Sequence, residues 1–389
     1  MKKITLTFSS VAIFAVLLFF ASCKKDDDII LPTIGGTTFV PPVTGQFIAA
    51  PSGYRNATTG YLTLFDKNGT ILRQVDKGST TVNFRKWYYG DGTVRYTYLS
   101  FDASKYYVPS VGYNAGQIVL LNDSLQEINR FSLLPYGNRT AADVNTLDGH
   151  DFILISDTRY IAMAYFEKAV NNIPASLNPI ANCKVMASII QEVDNGKVIW
   201  EWDGTNTPEL YTTSIEGNDF KTGAVTQDYA HLNALTIDPK DDNMVLSFRN
   251  LNQVLKLQRG TNTIVWRLGG KNSDFPVTAD QKFLRQHNAH FLADGKTMLI
   301  FDNGDATERP YTRIEEFVLD ESKKTVTRFS NMDMPNRTFT QFTGSVEKTD
   351  STYFIGAGSD PRILEVNYTT GKTIMEIKLP LPTYRAYRY

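Results

Sequence analysis

The sequence predicts an all-β chain folded as a six-bladed β-propeller, and three observations predict it. Short alternating apolar runs bounded by Gly, Asn and Asp dominate, with almost no helical periodicity. One hairpin pattern recurs six times, and a second signature, a strand running seven residues into a turn that begins with Asp, recurs five times. The composition permits such a body: 389 residues with 42% hydrophobic and 21% charged side chains can bury a sizeable core. Lys+Arg 40 against Asp+Glu 41 leaves a formal charge of −1, so no footprint for a nucleic-acid backbone is present. The 20 Tyr and 23 Phe favour strands and suit a pocket that receives flat rings.

The first element is a targeting segment. Lys2 and Lys3 precede an apolar stretch, Val11 to Ala21, too short to span a bilayer, so residues 1–22 read as a signal peptide. Phe20-Ala21-Ser22-Cys23 resembles the lipobox of bacterial lipoproteins, with Phe20 in place of the usual Leu; Cys23 is then the acylated first residue of the mature chain. The following Lys24-Lys25-Asp26-Asp27-Asp28 resembles the acidic signal that sends some lipoproteins to the outer cell surface, or is a solvated spacer. The expected location is the bacterial cell envelope, as an outer-membrane lipoprotein. Residues 23–44, rich in Asp, Pro, Gly and Thr, form a flexible tether, and residues 45–389 the folded body. With Cys23 acylated, Cys183 is left alone and no intramolecular disulfide forms. Classical Cys₄ or Cys₂His₂ zinc clusters are excluded, while a His₃ site stays open.

The hairpins come next. They begin at Tyr61, Gln117, Ser188, Gln253, Arg313 and Arg362, roughly 50 to 70 residues apart, room for the four strands of a propeller blade. Counting back seven from Asp102, Asp157, Asp238, Asp294 and Asp350 lands on Arg95, His150, His231, His287 and Thr343. Three of the four histidines therefore share one register position, and equivalent positions in a propeller converge at one mouth of the channel. A repeated core position would be apolar; a ring of imidazoles, a guanidinium and a hydroxyl is costly to bury without a ligand. Such donors suit a tetrahedral oxyanion, and a neutral imidazole is also a nucleophile and an acid or base.

Several motifs make a resemblance specific: Asp228-Tyr229-Ala230-His231-Leu232-Asn233-Ala234, Asp238-Pro239 with Val245-Leu246-Ser247-Phe248-Arg249, and Ile264-Val265-Trp266-Arg267-Leu268-Gly269-Gly270. Gln286-His287-Asn288-Ala289, Ile300-Phe301-Asp302-Asn303-Gly304, Tyr311-Thr312-Arg313 and Tyr384-Arg385-Ala386 follow. From Asp228 to the C-terminus, and more weakly at His150-Asp151 and Trp200-Glu201-Trp202, the chain resembles the bacterial arylsulfotransferases that work without a nucleotide sulfate donor. The resemblance implies a six-bladed propeller that moves a sulfuryl group from a phenolic sulfate ester to a phenolic acceptor. It implies that His287 is transiently sulfurylated, that His231, Asn233 and Arg249 hold the sulfuryl oxygens, and that His150 and Thr343 occupy matching positions, with no cofactor and no metal. Arg95 enters as a substrate-binding candidate from the register alone.

Other readings stand beside this one. A non-catalytic surface propeller would bind a glycan or sulfated ligand in the same mouth, and the three ring histidines could form a His₃ hydrolase centre. Arg249 alone could be an ordinary blade-edge cation. His290, three residues past His287, faces the other side of its strand and reads as structural. Trp200, Trp202 and Trp266 read as packing between blades, and Asn233 shares a strand face with His231. The long segments Asn171 to Asn182 and Thr205 to Thr226 read as a lid or partner surface.

Overall fold

Each of the six sequence hairpins is the outer pair in the four-strand path of an antiparallel blade, and one blade gains a fifth short strand, Leu147–Asp148, paired with Ala115–Leu121. The computed structural model describes residues 45–53, 58–102, 112–113, 115–139 and 146–389; the signal peptide, Cys23 and the tether lie outside the described residues. The outer pairs are Tyr61–Phe65 with Ile71–Asp76, Ala115–Leu121 with Glu127–Phe131, and Cys183–Asp194 with Lys197–Asp203. Gln253–Leu257 with Ile264–Gly269, Arg313–Asp320 with Thr325–Asp333, and Arg362–Asn367 with Thr373–Lys378 complete the set. Short polar side chains make these turns by satisfying backbone donors: Asp66 Oδ1 accepts from the N–H groups of Asn68 and Thr70, both at 2.8 Å. Asn122 Oδ1 does the same for Ser124 and Gln126.

The innermost strands are Thr383–Arg388, Thr81–Tyr88, Phe152–Leu154, Leu232–Ile237, His287–Phe291 and Ser345–Lys348. The C-terminal strand closes the ring by pairing with Phe47–Pro51, Phe47 opposite Arg388 and Ile48 opposite Tyr387, so one blade is assembled from both ends of the folded body. Apolar contacts fill every gap between neighbouring blades. Trp200 and Trp202 pack with Phe248 and Leu255 in one gap, and Trp266 with Ala289 and Met298 in the next, as their sequence positions predict. Remaining gaps are filled in the same way, for example by Leu62, Phe84 and Tyr98, and by Phe47, Phe354 and Ile363. Among the described residues no helix is long and apolar enough to cross a membrane.

A charged network ties the inner strands together just beneath the expected ring. Arg385 and Asp151 form an ion pair at 2.9 Å, both at most 1% exposed, and Arg85 reaches the other Asp151 oxygen at 3.3 Å. Arg385 also donates to the carbonyl of Asn233 at 3.0 Å, and Asp151 accepts from the N–H of Leu235 at 3.1 Å. Four blades thus meet on one buried carboxylate and its guanidinium. Removing either partner strands the other charge, at a cost of about 3–5 kcal/mol, so the floor of the channel mouth is rigid.

Candidate active site

Residues at the start of an inner strand, or one or two positions before it, reach the mouth of the channel, and there His150, His231, His287 and Thr343 line one cavity of about 500 Å³. Arg249, which follows the second strand of His231's blade (Met244–Phe248), lines it too. Val82, Phe342, Pro382 and Tyr384 supply a wall of apolar and aromatic surface. Local backbone strain accompanies these positions. His231 has φ +54, Thr343 φ +62 and Asn288, next to His287, φ +40. Left-handed backbone is costly for a non-glycine residue and most so for a β-branched one; the surrounding sheet holds these conformations in place.

Each histidine has a fixed Nδ1 partner. The Asp148 carboxylate accepts from His150 Nδ1 at 2.5 Å, and the Asp228 carboxylate from His231 Nδ1 at 2.6 Å. His287 instead donates from Nδ1 to the amide oxygen of Asn303 at 2.7 Å. Asn303 is held in that orientation because its Nδ2 donates to the carbonyls of Thr340 and Thr343, at 2.8 and 2.9 Å. Thr343 thus serves the site through its backbone as well as lining it. The consequence is a tautomer: His287 carries its proton on Nδ1 and presents the Nε2 lone pair. Burial, then the neighbouring His150, hold His287 well below the usual histidine range, with Arg249 and His231 adding to the effect. It is a neutral base at physiological pH.

The rings are close together. His150 and His231 lie 5.3 Å apart, edge to face, and His150 and His287 6.3 Å apart, nearly parallel. Tyr384 donates its hydroxyl to the His150 carbonyl at 3.2 Å, and burial pushes that phenol well up, so it remains a donor. Arg249 Nη1 meets the Glu216 carboxylate at 3.2 Å, and Arg285 shares the same oxygen at 3.3 Å. Glu216 comes from the segment between Thr205 and Thr226, which therefore contributes to the cavity wall.

Two sequence-predicted residues are placed elsewhere. Arg95 sits on the second strand of its blade, Val94–Phe101, which runs opposite to the inner strand, so the seven-residue count there starts from the far end. It forms a bidentate pair with Asp157 at 2.8 and 2.7 Å, and Asp157 is the turn residue at the opposite end of His150's strand. Arg95 is accordingly withdrawn from the ring. Asn233 is fully buried beneath the cavity rather than lining it; its Nδ2 donates to the Gln286 carbonyl at 2.7 Å. The unpartnered atom is Oδ1, an acceptor, which does not suit an oxyanion. Asn233 therefore anchors the segment that carries His287. His290 does not line the cavity; burial, with the Arg85 and Arg385 charges adding, pushes it down to about 4, a neutral ring.

Sequence reasoning missed Asp148, Asp228, Asn303 and Glu216. The first two stand two and three residues before their histidines, a spacing that could have signalled them, and Asn303 lies inside a quoted motif. Nothing in the sequence marks Glu216. Among the described residues, the acids and histidines whose ligand atoms gather within 4.8 Å are Asp238, Asp241 and Glu321, not the ring histidines. None of the three lines the cavity, and together they surround the Lys256 ammonium, at 2.6 to 2.7 Å.

Comparisons with known proteins bear on fold and family separately. Similar solved structures include a protein of unknown function from Bacteroides caccae, 12% identical with a TM-score of 0.45, covering 88% of this chain and 97% of that one. The Cps50 (Swd1) β-propeller domain of Myceliophteria thermophila is 8% identical with a TM-score of 0.44, covering 86% and 87% of the two chains. At such similarity they carry no functional argument. The chain has no match among curated proteins. The family model for arylsulfotransferase (ASST) matches residues 55–389, nearly the whole described body, including His150, His231, Arg249, His287 and Thr343 of the cavity. On that match, and with a six-bladed propeller whose ring histidines share one cavity, the chain belongs to the arylsulfotransferase family.

Proposed function

We propose that this protein transfers a sulfuryl group from a phenolic sulfate ester to a phenolic acceptor in two displacements, through a sulfurylated His287. The observation that carries the reading is the His287–Asn303 hydrogen bond at 2.7 Å, which leaves a buried, neutral ring with its Nε2 lone pair in a cavity shared with a guanidinium. In the first step His287 Nε2 forms a bond to sulfur and the sulfur–aryl oxygen bond breaks, its electron pair leaving on the phenolate. A neighbouring histidine gives that oxygen a proton. In the second step the acceptor hydroxyl returns a proton to the same histidine, its oxygen attacks sulfur, and the N–S bond breaks. Splitting one exchange in two is the gain of covalent catalysis. Arg249 and His150 offset charge on the transferring oxygens, as cations and donors do in phosphoryl transfer.

The wall of Phe342, Tyr384, Val82 and Pro382 supports an aromatic substrate. No cofactor or metal enters either step. The test is release of nitrophenol from p-nitrophenyl sulfate that depends on added phenol, survives a chelator and is lost in His287→Ala. Release that vanishes on chelation and returns with a metal would replace this reading with a metallohydrolase. The proposal also anchors the domain to the bacterial envelope by acylation of Cys23, on the strength of the Phe20–Cys23 segment.

A further inference from the structure

The three cavity histidines have unlike partners, two carboxylates and one amide, and that difference has chemical consequences. We propose that Asn303 and Asp228 are positioning residues that divide the labour: Asn303 keeps His287 as the nucleophile, and Asp228 keeps His231 as the group that passes a proton to the leaving phenolate and takes one from the acceptor. This rests on the sulfuryl-transfer reading above and assigns the proton-carrying histidine that it leaves open.

Asn303 fixes orientation without adding charge. Its Nδ2 is committed to two carbonyls, so only Oδ1 faces His287 and only the Nδ1–H tautomer satisfies it. The groups facing His287 are His150, His231 and Arg249, none of them an acid. The carboxylate next to Asn303 in the chain, Asp302, is turned away onto the N–H groups of Leu284 and Gly304 and the Arg309 guanidinium, with Glu315 beside it. A carboxylate at position 303 would favour the protonated ring, which has no lone pair to attack with.

Asp228 does the opposite for His231. Its Oδ2 accepts from Nδ1 at 2.6 Å, so the proton to be moved resides on Nε2, and the carboxylate balances the charge the ring carries while holding it. The Asp228 backbone is clamped as well: its carbonyl accepts from Asn250 Nδ2 at 2.5 Å, and a Cβ on Gly217, which has φ +61, would come within 2.4 Å of that oxygen. Glycine at 217 is what lets this segment pass so close.

In-line displacement puts the leaving oxygen on the side of sulfur away from His287 Nε2. His150 flanks His287 at 6.3 Å, its ring inclined by only 21°, whereas the His231 ring stands edge-on to His150, turned by 86° at 5.3 Å. His231 is assigned to the leaving-group side. It is also the more exposed, 8% against 2% for His150, as a proton carrier serving exchangeable phenols requires. Asp148 Oδ1 is shared between the His150 ring at 2.5 Å and the His150 backbone N–H at 2.8 Å, which pins that ring as a fixed donor to the transferring oxygens. The other groups facing His231 are Tyr165, His150 and Arg249.

The test uses the purified chain and a panel of aryl sulfates of rising leaving-group basicity, from p-nitrophenyl to unsubstituted phenyl sulfate. In Asp228→Asn, sulfuryl loading of His287 should fall by a few-fold with p-nitrophenyl sulfate and by roughly a hundredfold with phenyl sulfate. Asp148→Asn should lose rate equally across the panel. Asn303→Asp should move the acid limb of the loading rate up by about a pH unit, slowing loading roughly tenfold below it. If that variant does not fold, the Asp228→Asn panel decides alone. Equal losses across the panel in Asp228→Asn, or leaving-group dependence in Asp148→Asn instead, overturn the assignment. Wild-type protein that never loads His287 overturns the sulfuryl-transfer reading itself, and the two failures are thereby distinguished.

Discussion

Substituting Glu216 with glutamine removes the carboxylate that shares Arg249 with any bound sulfate ester, and donor affinity should rise as a result. Glu216 lies 3.2 Å from Arg249 and 3.3 Å from Arg285, so a donor held on the free face of Arg249 would have its sulfate roughly 6 Å from this carboxylate. Two unit charges at that distance repel by about 0.7 kcal/mol in water and about 3 kcal/mol at an effective dielectric of 20. The Glu216 side chain is 40% exposed, which puts the penalty at the lower end, about 1 kcal/mol, or roughly a fivefold change in affinity. Calorimetric titration of an aryl sulfate into His287→Ala, with and without Glu216→Gln, measures it without turnover. The gain should shrink as salt rises. Weaker binding in the glutamine variant would refute the reasoning and make Glu216 the residue that orients Arg249 for the donor.

Other consequences follow from groups away from that contact. Lys256 is fully buried against Asp238, Asp241 and Glu321, so Lys256→Met leaves carboxylates uncompensated and should cost about 3–5 kcal/mol in a denaturant titration, with little effect on donor affinity. Cys183 is fully buried and burial pushes its thiol up, so it should resist thiol reagents in the native protein and react only on unfolding. Because His287 is held below the ordinary value of 6.5, the neutral ring persists as pH falls through that value. The acid limb of sulfuryl loading should therefore lie below pH 6.5; a half-maximal point on that limb at 6.5 or above contradicts the burial argument.

Much of the architecture was legible because a propeller repeats its local chemistry. Turns such as Asp66-Lys67-Asn68-Gly69 announce their hairpins through short side chains that satisfy local donors, and all six hairpins became outer strand pairs. The register count brought His150, His231, His287 and Thr343 to one cavity for the same reason. It failed at Arg95 because an Asp turn closes second strands as well as inner ones, and only pairing across blades reveals which; the inner strand there is Thr81–Tyr88. The Asp151–Arg385 pair spans 234 positions in the chain, a closure no local pattern encodes. The resemblance implied that Asn233 holds a sulfuryl oxygen, and its shared strand face with His231 supported that, yet the side chain is fully buried on the Gln286 carbonyl, a cross-blade contact no local pattern encodes. Glu216 arrives from a loop whose length alone hinted at a role over the mouth.

A sulfurylated His287 is the intermediate on which the two-displacement reading stands. Incubating the protein with p-nitrophenyl sulfate in the absence of acceptor, then sequencing its peptides by mass spectrometry, tests that directly. One added SO₃ is expected on the His287 peptide, formed with stoichiometric nitrophenol release, discharged by added phenol and absent from His287→Ala. Turnover with no adduct on His287, or an adduct on His150 or His231 instead, would contradict it.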